Sequence, residues 1–511
     1  MKILTIKHFY MKSKSIIPFK SMLAPALAGS VSLSFMLASC QEEKPKQEKP
    51  NFLFILADDL GYKDLGCYGS SFHETPNLDE LASQGVKFTD AYAACPVSSP
   101  TRSSIMTGKH PARTDNTDWF GAPQPNNVED HWTRNKPLLP APYKEYMALE
   151  EVTLAEALKA GGYNTFFAGK WHLGPTEKYW PTQQGFDVNK GGWRAGGPYG
   201  GNKYFSPYGN PKLEDGPEGE HLPDRLAKET VKFIEDHKNE PFLAYLSFYS
   251  VHNPQMARED LRKKYENKKE RLGLEVRWGK EGDRKERLVQ CSPVYAGMVE
   301  AMDLAVGKVL EKLESAGLDD NTVVIFMSDN GGLSTSEGHP TSNVPLRAGK
   351  GWLYEGGIRE PMIIKWPGVT NAGTVCEVPV TSTDFYPTML EMAGLPFKPQ
   401  QHKDGVSLVN LLKKGQKPNR KAIYWHYPHY GNQGGTPGSA IRQGRYKLIK
   451  FYEKDRVELY DLSTDIREHH DISKDKPEIT SKLLNKLNEW LEQTDAKFPS
   501  ENPDKKQAAS D

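Results

Sequence analysis

The sequence predicts an α/β fold: a large, mostly parallel mixed sheet flanked by helices, followed by a smaller antiparallel sheet with a covering helix. Three observations predict it. Continuous apolar runs, beginning with Asn51–Ala57, read as strands buried on both faces. Helical segments with start and stop signals alternate with these runs. Beyond about Asn410 the texture changes to short strands linked by turns.

The first residues read as a targeting segment rather than structure. Lys12, Lys14 and Lys20 precede an apolar run from Met22 to Leu37, which ends in Leu37-Ala38-Ser39-Cys40. This pattern resembles a bacterial lipoprotein signal, residues 1–39, cleaved before a lipid-modified Cys40. The polar stretch 40–50 reads as a tether. The expected location is outside the cytosol, lipid-anchored in the periplasm or on the outer-membrane surface.

Asn51–Ala57 is the first strand of the large domain, 51–410. Thr75-Pro76 opens a short helix stopped by Gly85, and Val86 to Tyr92 alternates as a strand. Thr153 and Glu156 form a capping box, and a strand from Tyr163 to Ala168 follows. The segment from Gly174 to Gly219 is rich in Gly and Pro and reads as a long functional loop. Then come the run Phe242–Tyr249, a helix from about Val294 to Ala316, and strands Thr322–Ser328 and Pro361–Trp366. In 411–496, Ala422–Tyr427, Ala440–Arg442, Tyr446–Phe451 and Glu458–Asp461 read as strands, with a helix from Pro477 to Thr494. Residues 497–511 read as a disordered tail.

Composition excludes little but is useful. The chain carries 66 Lys plus Arg and 66 Asp plus Glu, so no basic bias supports nucleic-acid binding. After Cys40, the cysteines are Cys67, Cys95, Cys291 and Cys376. None forms a close metal-binding pair; one or two disulfides are compatible with an oxidising compartment, and their pairing is open.

The polar residues fall at strand ends. Asp58 and Asp59 follow the first strand; Lys170 and His172 follow Tyr163–Ala168. His252 follows the Phe242 run, and Asp329-Asn330 follows Thr322–Ser328. In a parallel sheet these groups gather at one carboxyl edge, where open α/β sheets bind ligands. Bunched carboxylates repel unless a hard cation lies among them, and oxygen ligands suit calcium or magnesium better than zinc. Ser98-Ser99-Pro100-Thr101-Arg102 places a serine at the positive end of a helix running to about Met106. By itself that segment also reads as a serine cap.

Together these residues resemble the type I sulfatases of the alkaline-phosphatase superfamily. Three motifs carry the likeness: Ser98 to Arg102 continuing to Thr107-Gly108, Gly169-Lys170-Trp171-His172-Leu173-Gly174, and Gly349-Lys350-Gly351 continuing to Glu355-Gly356-Gly357. The resemblance implies an alkaline-phosphatase-like fold and a sulfuric ester hydrolase. It implies that Ser98 is oxidised to formylglycine, with serine where other members carry cysteine, by a maturation enzyme acting before export. Cys95 is excluded as the modified residue, because Val97 stands where proline is needed and Ser99 where arginine is needed.

By the same resemblance one calcium ion is held by Asp58, Asp59, Asp329, Asn330 and an oxygen of modified Ser98. The hydrated aldehyde is the nucleophile, and Arg102 holds it. Lys170 and Lys350 bind sulfate oxygens, His252 protonates the leaving alcohol, and His172 assists regeneration of the aldehyde. A sulfated external glycan is the expected substrate. Candidate sugar contacts are Trp119, Trp193, Arg194, Arg442 and the run Trp425 to Tyr430, with His426 and His429. That run is favoured because family members place loops of the small domain at the active-site mouth. Two other readings remain: a phosphodiester or phosphonate monoester hydrolase of the same superfamily, and a glycan-binding surface lipoprotein with unmodified Ser98.

Overall fold

The computed structural model describes residues 49–504. The signal, Cys40 and residues 505–511 lie outside them. The large sheet comprises β1 (Asn51–Ala57), β2 (Val86–Tyr92), β3 (Asn164–Gly169), β4 (Val188–Lys190), β5 (Phe242–Ser247), β6 (Thr322–Ser328), β7 (Arg359–Lys365), β8 (Thr374–Cys376) and β9 (Val380–Thr381). Their spatial order is β8-β2-β7-β6-β1-β5-β3-β4, with β9 also on β2. Only β7 runs antiparallel to its neighbours.

The central strands read as unbroken apolar runs because each face has its own core. Phe52, Phe54 and Leu56 of β1 enter one cluster with Leu243, Tyr245, Val323 and Ile325. Leu53, Ile55 and Ala57 enter the other with Ala244, Leu246, Val324 and Phe326. Successive side chains point to opposite faces, so a strand covered on both sides has no polar position to spare. Phe54 stacks on Tyr245 at 4.7 Å between ring centroids, and the edge of Phe385 closes on it at 4.9 Å. Each such pair adds about 0.5–1.5 kcal/mol beyond the area it buries.

The smaller sheet, β10 (Ile423–Tyr427), β11 (Gly438–Gln443), β12 (Tyr446–Phe451) and β13 (Arg456–Asp461), is antiparallel throughout. Leu483, Leu487, Trp490 and Leu491 form the apolar stripe of the helix Pro477–Gln493 and cover Ile441, Leu448 and Leu459. The opposite face, with Trp425, Tyr427, Ile449 and Phe451, packs on Trp352, Leu353 and Tyr354. The small sheet therefore backs the loop that carries Lys350. Buried Lys447 of β12 bonds Glu355 at 2.9 Å and Glu468 at 2.8 Å.

Two expectations are corrected. The segment Gly174–Gly219 contains β4, which joins the sheet edge beside β3. The chain from Lys497 is structured as far as Asp504, because Ser500–Glu501 pairs with Leu138–Leu139. Cys67, Cys95, Cys291 and Cys376 are all free thiols. No helix among the described residues is long and apolar enough to cross a membrane.

Gly169 ends β3 at φ +101°, and a Cβ there would overlap the carbonyl oxygen of Ser247. That close approach lets the Lys170 N–H donate to the same oxygen at 2.8 Å. Gly169→Ala is expected to destabilise the protein by about 2–4 kcal/mol, measured by urea unfolding of the full chain.

Candidate active site

The carboxyl ends of four adjacent parallel strands meet. Ala57 of β1 lies opposite Ser328 of β6, Leu56 opposite Ser247 of β5, and Gly169 of β3 opposite Ser247. Backbone bonds tie the segments just beyond: Asp329 N–H to Ala57 O (3.1 Å), Asp58 N–H to Ser250 O (2.9 Å) and Val251 N–H to Asp58 O (2.7 Å). Asp58, Asp59, Asp329, Asn330, Lys170, His172 and His252 are thereby delivered to one buried place. Asp59 at φ +62° and His172 at φ +56° adopt the left-handed backbone that non-glycine residues rarely use. Such strain clusters where side chains must be aimed against local preference.

Ser98 opens the helix Ser98–Thr107. The residue at the cap position is Val97, and no side chain caps the helix, so the serine-cap reading is corrected. The Ser98 hydroxyl instead donates to Asn330 Oδ1 at 3.0 Å, and Asp58 Oδ1 lies 3.4 Å away. Lys170 Nζ donates to it at 3.2 Å. Cys95 is buried with its thiol toward the Thr117 carbonyl.

Three buried carboxylates face three buried cations. Lys170 bonds both Asp58 oxygens (2.7 and 2.8 Å), and Lys350 bonds Asp59 (2.6 Å). Arg102 places Nε and Nη2 on Asp329 Oδ2 at 2.9 and 2.8 Å, and Nη1 on Ser247 Oγ and the Lys170 carbonyl. Burial opposes the charge on every member, and the pairs resolve it differently. Burial pushes the Asp58 carboxyl up to about 6 against the pull of Lys170, while burial lowers the Lys170 ammonium. For Asp59 and Lys350 burial is overcome by their mutual attraction: the carboxyl falls below its ordinary value and the ammonium rises above its own.

His172 is buried, with Nε2 bonded to the Phe120 carbonyl (3.0 Å) and Nδ1 to Ser99 Oγ (3.1 Å). Burial and the neighbouring Lys170 drive its pKa well down, so it is a neutral imidazole. His252 places Nε2 3.7 Å from Asp59 Oδ2 and Nδ1 on the Asn253 carbonyl at 2.8 Å. Ligand atoms of Asp58, Asp59 and His252 lie within 4.8 Å of one another. Oxygen-rich surroundings, completed by Asp329 and Asn330, fit a hard divalent cation, for which imidazole is a poor ligand. With three carboxylates balanced by three cations, such an ion would leave the site net positive and receptive to an anion.

Above these groups opens a cavity of about 430 Å³. Its walls include Ser98, Lys170, His172, His252 and Lys350, together with Trp119, Trp193 and Arg194. The volume suits a small ligand or one sugar unit.

The C-terminal expectation fails in detail. His426 is buried between Ser439 Oγ and the Lys497 carbonyl (2.7 and 2.9 Å), His429 is buried against Thr117 Oγ1 (2.9 Å), and neither reaches the cavity. Trp425 donates to the Ala93 carbonyl, and Arg442 is taken by Asp90. Asn432 and Gln433, a few residues on, do line the cavity, as do Tyr199, Phe120 and Glu337. The Gly- and Pro-rich loop signalled Tyr199. Glu337, Asn432 and Gln433 carry no pattern that marks them.

Fold and site together define a hydrolase of sulfate esters. The Sulfatase family profile matches residues 50–395, and that of N-sulphoglucosamine sulphohydrolase, C-terminal, matches residues 348–497. The chain belongs to the formylglycine-dependent sulfatase family of the alkaline-phosphatase superfamily and is a sulfuric ester hydrolase. It is 32% identical to a sulfatase of Formosa agariphila, over 90% of this chain and 92% of that protein. Human N-acetylgalactosamine-6-sulfatase is 32% identical over 74% of this chain and 68% of its own. The crystal structure of Ps i-CgsB in complex with k-i-k-neocarrahexaose superposes with a TM-score of 0.71 at 30% identity, covering 89% of this chain and 94% of that one.

Arg102→Met removes the partner of Asp329 and leaves a buried carboxylate uncompensated. The expected loss is about 3–5 kcal/mol, read by chemical denaturation of the full chain.

Proposed function

We propose that the protein removes O-sulfate groups from carbohydrates of external glycans, using formylglycine made from Ser98 and one calcium ion. The observation that carries this reading is the placement of Ser98: its hydroxyl is not spent on the helix cap and faces Asp58, Asn330 and Lys170. The sugar substrate is supported by relatives named for N-acetylgalactosamine-6-sulfate and by the neocarrahexaose complex. Aromatic Trp119, Trp193 and Tyr199 beside Arg194 supply the apolar faces and the donor that a sulfated sugar needs.

Asp58, Asp59, Asp329 and Asn330 would hold calcium. When bound, the ion polarises the sulfate, and the modified residue 98 contributes a hydrated aldehyde as nucleophile. Arg102 fixes Asp329 and screens the carboxylates. Lys170 and Lys350 are aimed from two sides and stabilise sulfate oxygens as charge develops. His252 Nε2 protonates the departing alcohol oxygen. His172 serves the return step; its Nε2–H is committed to the Phe120 carbonyl and its Nδ1 accepts from the Ser99 hydroxyl. The proposed division is a catalytic domain over 51–410 and a supporting sheet over 411–496, with a lipid anchor at Cys40 after export and maturation of Ser98 beforehand.

Ser98→Ala should abolish sulfate release while leaving affinity for a sulfated oligosaccharide within about threefold, measured by ion chromatography and calorimetry; retained turnover would contradict the mechanism. Exhaustive calcium chelation should remove hydrolysis of an aryl sulfate, and readdition of calcium should restore it. Unchanged rates in excess chelator would overturn the metal assignment. An aryl phosphate should be cleaved far more slowly than the aryl sulfate by the same preparation.

A further inference from the structure

Among the described residues that wall the cavity, Glu337 is the one carboxylate outside the metal-ligand set. An anion here works against a sulfated substrate, so its presence calls for another role. Its hydrogen bonds show which. Asn253 Nδ2 donates to Glu337 Oε2 and to the Glu337 carbonyl, both at 3.1 Å. Asn432 Nδ2 and Gln433 Nε2 donate to Oε1 at 3.0 and 2.8 Å. A carboxylate only accepts, so it fixes which way each amide points. The other end of Asn253 is fixed as well, because its Oδ1 accepts from Gln255 Nε2 at 3.0 Å.

Asn253 is the residue on which His252 rests. His252 Nδ1 lies 2.8 Å from the Asn253 main-chain carbonyl and 3.4 Å from the Tyr199 hydroxyl; a carbonyl only accepts, so the nearer contact places the proton on Nδ1. Nε2 is then the nitrogen left to serve the substrate. The His252 carbonyl is held in turn by the Tyr204 hydroxyl at 2.8 Å. Glu337 sits at φ +52°, a backbone held by its surroundings rather than by preference.

We propose that Glu337 is a positioning residue: through Asn253 it fixes the tautomer and aim of the His252 imidazole, and through Asn432 and Gln433 it ties that aim to the C-terminal region. This rests on the reading of His252 as the leaving-group acid. In the step served, a bond forms from the nucleophile at position 98 to sulfur and the sulfur–oxygen bond to the alcohol breaks. The electron pair leaves on the alcohol oxygen, which takes the proton from Nε2 of an imidazolium protonated on both nitrogens, and His252 is left neutral with its proton on Nδ1. Glu337 also strengthens the charge on Lys350, but loss of that effect would slow every substrate alike.

The test is a series of substituted phenyl sulfates, from nitrophenyl to unsubstituted phenyl, with no sugar present. In Glu337→Ala, kcat for nitrophenyl sulfate should stay within about twofold, because that alcohol leaves without a proton. For phenyl sulfate kcat should fall by roughly 10–100-fold, a fraction of what general acids supply. Asn253→Ala should give the same steepened dependence on the leaving group. A second readout needs no turnover: nitrogen-15 NMR of the unmodified, calcium-free protein should show His252 protonated at Nδ1 in the parent and as mixed tautomers in Glu337→Ala. An equal loss across the series, no loss, or an unchanged tautomer would overturn the proposal. Turnover surviving Ser98→Ala would instead overturn the functional reading itself, whatever the slope.

Discussion

The structure depends on the mutual neutralisation of three carboxylates and three cations inside the protein. Asp58, Asp59 and Asp329 are buried, as are Lys170, Lys350 and Arg102. Removing any one leaves a charge where water cannot reach it, which costs several kcal/mol. The sheet explains how so much charge can be held there. Strand ends are positioned by ladders of backbone bonds and by apolar cores on both faces, which hold the opposite charges within reach of one another.

Much of this was legible in the sequence, for identifiable physical reasons. Strands β1, β5 and β6 were visible because burial on both faces leaves continuous apolar runs. Their chemistry was visible because a parallel sheet sends every strand end to one edge, so Asp58, Lys170, His252 and Asp329 could be grouped across hundreds of residues. The helix at Ser98 was readable from Pro100, which is tolerated only in the first turn. Its serine read as a cap from the segment alone and as the modified residue only through the motif shared with the sulfatases; in the structure it caps nothing and faces Asp58, Asn330 and Lys170.

The remainder was set by tertiary packing, which leaves no local pattern. The aromatic run Trp425 to Tyr430 held candidate sugar contacts, yet Trp425 and Tyr427 belong to the core between the small sheet and the Lys350 loop. Aromatic content alone does not distinguish the two uses. The tail from Lys497 looked unstructured because a two-residue strand has no periodicity to detect. Glu337 and Asn432 converge from distant loops, and nothing in either loop announces the other. What the small sheet contributes is therefore support: Lys447 on Glu355, aromatic packing on Trp352 and Tyr354, and Gln433 on Glu337.

The central claim is that residue 98, after oxidation, is the nucleophile. The most direct measurement is peptide mass spectrometry across Ser98 in preparations that differ in maturation, each assayed for sulfate release. Specific activity is predicted to rise in proportion to the fraction of peptide that has lost two hydrogens at residue 98, with none in fully unmodified protein. Full activity in protein whose Ser98 is entirely serine would contradict the account.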